Sequence, residues 1–161
     1  MNSSTWKAEE RRIAAIIGGQ RVGVSGIATA DAVSERFCAE VKVESKPRLS
    51  HFEADMIKAA EKARTPQAGL VDEPRPGQIG IATMRPKGNT AHTLVGMLEG
   101  VHYAHWSWKA PTARYSGAPR WAKLLHMCQD YGCVWYQREG GPLFVVMTQA
   151  IFEKYYLSGG K

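Results

Sequence analysis

The sequence predicts an α/β fold, helices packed on a mixed sheet. Three observations carry that expectation. An apolar stripe at helical spacing opens the chain, segments alternating with a period of two follow it, and glycine and proline punctuate the boundaries. A helix first and mixed strands after is the order of an α/β sandwich.

Ser3, Ser4 or Thr5 can cap a helix over Trp6 to Ile17, where Glu9 or Glu10 suits the positive first turn. Ile13, Ile16 and Ile17 supply its stripe, and Gly18-Gly19 stops it. Arg21 to Ser25 reads as a short strand broken at Gly26. Ala30 to Lys42 reads as a hairpin turning near Ser34-Glu35-Arg36. After Lys46-Pro47 a helix spans Ser50 to Arg64, with Phe52, Met56, Ile57 and Ala60 on its inner face. Thr65 to Gly77, rich in Pro, Gly and charge, is a loop. Strands follow over Gln78 to Met84 and Thr93 to Leu98, and Glu99 to Trp106 starts a short helix. Lys109 to Pro119 reads as a second loop. A helix (Arg120 to Tyr131), a hairpin (Cys133 to Gln137 and Leu143 to Thr148, turning at Gly140-Gly141) and a last helix to Tyr156 complete the chain. Leu94-Val95-Gly96-Met97 and Phe144-Val145-Val146-Met147 stand in similar settings, a faint internal echo.

A chain of 161 residues is one domain, or one with an elaborated end, and can bury a real core. Its hydrophobic content of 44% and mean hydropathy of -0.31 are those of an ordinary soluble globular protein. No apolar run approaches the roughly 18 residues of a spanning helix, and the polar, charged Met1 to Arg12 is not a signal peptide. The net charge of +6 and pI near 9.3 favour a polyanionic partner, nucleic acid above all. Cys38, Cys128 and Cys133 are odd in number and lack close metal spacing, so free thiols of a reducing cytoplasm are expected.

The chemistry concentrates in Glu10, Asp31, Glu40 and Lys42. Phe37 to Val43 alternates like a strand, which puts Glu40 and Lys42 on one face and Ala39, Val41 and Val43 on the other. Two carboxylates and an ammonium on one surface suit metal-assisted phosphodiester cleavage. The carboxylates hold a hard divalent cation, and the lysine steadies charge on the phosphate. The competing reading is a solvated strand face. Asp31 weighs against it, because its hairpin can carry it alongside Glu40, and a helix bearing Glu10 precedes that hairpin. Arg11, Arg12 and Arg21 lie close in sequence to meet phosphates.

Trp6 to Ala14 with its Glu10-Arg11-Arg12, then Gly18 to Gly26, then Asp31 and Glu40-Val41-Lys42 resemble the PD-(D/E)XK nuclease superfamily. Within it, they resemble small phage and bacterial proteins related to archaeal-type Holliday-junction resolvases. The resemblance covers residues 6 to 64 and extends to the strands from Gln78 to Leu98. It implies an αβββαβ core, here residues 1–106. Residues 107–161 run beyond a minimal resolvase and read as a C-terminal helix-hairpin-helix extension packed on that core or part of the same domain, with no assigned role. It also implies a Mg2+-dependent endonuclease, Mn2+ substituting, that works as a homodimer on branched or double-stranded DNA in the cytoplasm, the host's if phage-encoded. Carried over by position, Asp31 and Glu40 become metal ligands with the Val41 carbonyl available. Glu10 helps to bind or orient the metal and its waters, and Lys42 orients the attacking water or stabilises the transition state. Ser25 contacts a phosphate, and Thr29 supplies the hydroxyl that resolvase relatives place shortly before the Asp. Ala30 stands where the family usually has proline.

The implied function is a structure-selective endonuclease of branched DNA. Alternatives are a nuclease or nickase of duplex, flap or DNA ends, and a non-catalytic DNA-binding accessory protein on the same fold. His92, His102 and His105 have no matching fourth ligand and read as surface or core histidines. Trp106, Trp108, Tyr115 and Trp121, interleaved with Lys109, Arg114 and Arg120, either stack on unpaired bases or pack the C-terminal segment. Packing is the expectation.

Overall fold

The computed structural model describes residues 3–22, 30–63, 78–98 and 112–157. Helix α1 (Ser3–Ile17) buries Ile13, Ala14 and Ile17 and ends at Gly18, whose φ of 75° is the left-handed turn glycine takes without strain. The Gly19 N–H then returns to the Ala14 carbonyl at 2.8 Å, satisfying an end carbonyl of the helix. Three antiparallel strands follow: β1 (Gln20–Arg21), β2 (Ala32–Val33) and β3 (Phe37–Glu44). Helix α2 (Leu49–Ala63) carries the chain over the sheet to β4 (Ile79–Pro86), which runs parallel to β3. Gly80 lets that helix sit close, since a Cβ there would stand 2.2 Å from the Ala59 carbonyl oxygen.

A 3-10 turn (Thr90–His92) leads into β5 (Leu94–Leu98), antiparallel to β4. The remainder is β6 (Thr112–Ser116), α3 (Trp121–Tyr131), β7 (Cys133–Gln137), β8 (Leu143–Thr148) and α4 (Gln149–Phe152), which opens into a π turn over Glu153–Leu157. Among the described residues all strands form one mixed eight-stranded sheet in the order β1-β2-β3-β4-β5-β8-β7-β6. The fold is therefore α/β, with helices on both faces. Ile13, Phe37, Val41, Ile81, Met147 and Phe152 fill the layer under α1 and α4. Phe52, Met56, Met84, Leu94, Leu124 and Val146 fill the layer under α2 and α3.

Four expectations change. α1 begins at Ser3, so Ser3, Ser4 and Thr5 lie within the helix instead of capping it, and Glu9 and Glu10 fall beyond its first turn. Thr112–Ser116, read within a loop, is a strand: Ala113 and Tyr115 turn toward the core while Arg114 and Ser116 are exposed, a period of two hidden between prolines. β4 continues past Met84 to Pro86, since its pairing with β3 runs on through Arg85 opposite Val43 and Pro86 opposite Glu44; Arg85 is buried there with Nε 2.9 Å from Glu9 Oε2. On α2, Ile57 faces outward at 37% exposure, while Glu53 and Asp55 are buried. Both find partners: Tyr136 Oη (3.0 Å) and Arg138 Nε (2.7 Å) donate to Glu53, and Lys42 pairs with Asp55. The short helix expected after Glu99 lies outside the described residues, as do Ser25 and Thr29.

The internal echo has a topological counterpart. β3-α2-β4-β5 and β6-α3-β7-β8 are both strand-helix-strand-strand, with the first two strands parallel and the last antiparallel. They meet at the antiparallel pair β5–β8, where Gly96 lies opposite Val146. Following the registers outward from that pair, Ala82 corresponds to Val134, so Glu40 corresponds to Ala113 and Lys42 to Tyr115. The acidic strand face thus belongs to the first unit alone.

Candidate functional site

The site is built where β2 meets β3. Continuing the register Ala32↔Ala39 by one residue places Asp31 across from Glu40. The Asp31 backbone is held from both sides. Its N–H donates to the Ala39 carbonyl (3.0 Å), and its carbonyl accepts from Val22 (3.0 Å). Its Oδ2 accepts the Val41 N–H at 2.8 Å, so the carboxylate is pinned between Glu40 and Lys42.

Glu10 reaches the same region from α1. It is buried, and its Oε1 accepts from Arg21 Nε at 2.6 Å. Burial pushes its carboxyl up from the usual range. The Arg21 guanidinium opposes that rise and the neighbouring Asp31 charge adds to it. Asp31 therefore borders both Glu10 and Glu40.

β3 delivers Glu40 and Lys42 to the face covered by α2. Glu40 is 6% exposed, and its Oε1 lies 2.5 Å from Lys62 Nζ. Burial pushes its carboxyl up to about 7, against the pull of Lys62 and with the help of the Asp31 and Asp55 charges. Lys42 Nζ sits 3.3 Å from Asp55 Oδ2 and 3.4 Å from Oδ1. Asp55 is buried and likewise raised, first by burial, with Lys42 opposing.

Of the residues expected from sequence, Asp31, Glu40, Val41 and Lys42 are brought together, Glu10 borders Asp31, and Arg21 binds Glu10. Arg11 is exposed on α1. Arg12 is turned inward: Nε and Nη2 donate to Glu9 (2.7 and 2.9 Å), Nη2 also to Thr93 Oγ1 (2.8 Å), and Nη1 to Gln149 Oε1 (2.7 Å). Those bonds tie α1 to β5 and α4 and commit Arg12 to the fold.

Two site residues were missed. Asp55 and Lys62 lie seven residues apart on α2, two turns along one stripe, and both face β3. The signal was present as charged residues on the helix side that also carries Phe52, Met56 and Ala59.

The donors here are hard oxygens, and burial with neighbouring negative charge raises the proton affinity of Glu10 and Glu40, a load that a hard divalent cation relieves. Each carboxylate faces a basic or N–H partner, but the buried Glu40 Oε1 accepts no well-formed hydrogen bond despite its ion pair with Lys62. Among the described residues no three His, Cys, Asp or Glu side chains are gathered into a ready ligand shell.

The equivalent cleft of the second unit is an open groove of about 610 Å3, lined by Tyr115, Lys123, His126, Met127, Asp130 and Tyr131. Its single carboxylate, and Tyr115 in the place of Lys42, set it apart from the first. Trp121 packs edge-on against Phe52, centroids 5.7 Å apart, as expected for a packing aromatic. His92 Nδ1 lies 3.1 Å from Asn89 Nδ2 on the 3-10 turn. Among the described residues no helix is long and apolar enough to cross a membrane. Comparison with family models, with characterised proteins and with solved structures finds no match to this chain.

Proposed function

We propose that the chain is a metal-dependent, structure-selective DNA endonuclease of the PD-(D/E)XK type, hydrolysing backbone phosphodiesters of branched DNA in the manner of a Holliday-junction resolvase. The observation that carries this reading is the Asp31 carboxylate bonded to the backbone between Glu40 and Lys42, with Glu10 at its other side. The succession of helix, three antiparallel strands, helix and parallel strand supports it. So does the net charge of +6.

Asp31, Glu40, the Val41 carbonyl and Glu10 would hold Mg2+, with Mn2+ a substitute. Bound there, such an ion would neutralise phosphate charge and lower the pKa of a bound water. The chain's own groups do the rest. Glu40, which faces the Lys62 ammonium, serves as a carboxylate. Asp31, fixed by the Val41 N–H, keeps its carboxylate at the phosphate side of β3. Lys42, 35% exposed, presents its ammonium to the phosphate oxygens as negative charge grows on them. Water would attack phosphorus in line and release a proton to solvent, the P–O bond to one nucleotide would break, and the leaving oxygen would take a proton from solvent water. Arg11 and Arg21 would add affinity for the phosphate backbone with little base readout. A two-fold homodimer would match the symmetry of a four-way junction, in the cytoplasm of the cell or phage host.

The experiment is cleavage of labelled four-way junction, flap, duplex and single-stranded DNA in Mg2+, Mn2+ and EDTA. Paired, metal-dependent nicks in the junction are expected. Metal-dependent cutting of duplex, flap or ends instead would keep the site and change the substrate. A second reading, a DNA-binding accessory protein without catalysis, draws on the pairs Glu40–Lys62, Lys42–Asp55 and Glu10–Arg21, which satisfy the site internally. It predicts junction binding with no nicks under any metal.

A further inference from the structure

We propose that Lys62 is a tethered cation that occupies Glu40 in the metal-free protein and competes with the divalent ion for it, so that α2 sets the metal affinity of the site. The inference rests on the metal-site reading above.

Two periodicities make the arrangement. A helix repeats its face after seven residues and a strand after two, so Asp55 and Lys62 on α2 meet Glu40 and Lys42 on β3 as a crossed quartet. Lys62 Nζ lies 2.5 Å from Glu40 Oε1, and Lys42 Nζ lies 3.3 Å from Asp55 Oδ2. In both pairs the carboxylate is the buried member and the lysine the one that can leave, Lys42 being 35% exposed. Glu40 and Asp55 are buried, at 8% and 5% side-chain exposure. Lys62 is 21% exposed, stands in the last turn of α2, and carries its charge on a flexible four-carbon stem. It can swing to water while Glu40 stays.

An ammonium and a divalent ion seek the same carboxylate oxygen, and the ion brings twice the charge. Entry of the ion must therefore displace Lys62, and the free energy of that ion pair is subtracted from metal binding. Lys42, held by the separate carboxylate Asp55, keeps its place through the exchange.

The test is Mn2+ binding by calorimetry, without DNA, without oxygen and at low salt, at about pH 9 so that a proton does not compete for Glu40 once Lys62 is gone, to wild type, Lys62→Met, Lys62→Gln, Lys62→Arg and Asp31→Asn. Melting in EDTA checks each fold. Lys62→Met should bind Mn2+ about tenfold more tightly than wild type, the yield of one close charge pair. Lys62→Gln, which keeps a donor for Glu40 without the charge, should do the same and carries the test if the Met variant does not fold. Lys62→Arg should stay near wild type. Unchanged or weaker binding by both neutral variants, with Asp31→Asn abolishing it, overturns the inference and leaves the metal site standing. Absence of Mn2+ binding by every protein overturns both.

Discussion

Replacing Glu40 with glutamine should alter how stability depends on pH, and the size follows from the structure. Glu40 is buried under α2 with Asp31 and Asp55 nearby, and its carboxyl rises from 4.5 to about 7. The unfolded chain releases that proton near the lower value. Between the two, the folded state holds a proton that the unfolded state does not. A raised acid therefore contributes stability that is fully present below pH 4.5 and is lost as pH rises through about 7. The interval corresponds to about 3 kcal/mol. The substituted amide cannot titrate, so the stability of wild type minus that of Glu40→Gln should fall by about 3 kcal/mol from about pH 4 to about pH 8.5. Urea unfolding of both proteins in EDTA, at half-unit steps, measures the difference with most other titrations cancelled. A difference that stays flat across that range would refute the reasoning. It would mean that Lys62 compensates the buried charge in full.

Other consequences are read more simply. Gly80→Ala places a Cβ about 2.2 Å from the Ala59 carbonyl oxygen, a backbone atom that cannot turn away. Unfolding should show a loss of about 2–3 kcal/mol. Arg12→Ala should lower stability by about 2 kcal/mol, since it strips Glu9, Thr93 and Gln149 of a shared donor. Junction affinity should hold for that variant, whereas Arg11→Ala should weaken affinity and leave stability alone, as mobility shifts beside melting curves would report. Burial pushes the Cys38 and Cys133 thiols up to about 12 and raises Cys128 as well. Iodoacetamide at about pH 8 should leave the native protein unmodified and label three thiols once it unfolds, as a mass spectrum would count.

Most of the fold was legible because period and punctuation agree over most of the chain. Ile13 and Ile17 mark α1, alternation from Phe37 to Val43 marks β3, and Gly140 marks the last hairpin, where its φ is 74°. β6 was hidden because five residues between prolines carry only two inward side chains, and its role depends on β7 beside it. Sheet order was not legible either, since the pairing of β5 with β8 joins residues about fifty positions apart.

The strand part of the site was readable because alternation alone puts Glu40 and Lys42 on one face. Asp55 and Lys62 were not, because a charged residue on a helix is ordinarily solvated. Their burial follows only from the opposite charges on β3. Arg12 shows the converse. Its place in a Glu-Arg-Arg run suggested phosphate, and the turn of α1 points it at Glu9 and Gln149 instead.

The central claim is that the acidic face of β2 and β3 cuts DNA, and Asp31→Ala tests it most directly. That change removes the carboxylate held by Val41 while leaving the basic surface intact. Junction binding and single-turnover cleavage should be measured on the same preparations in Mg2+. The account predicts wild-type affinity with cleavage reduced by at least about a thousandfold. Equal cleavage by wild type and Asp31→Ala, or none by either in well-folded protein, would contradict it.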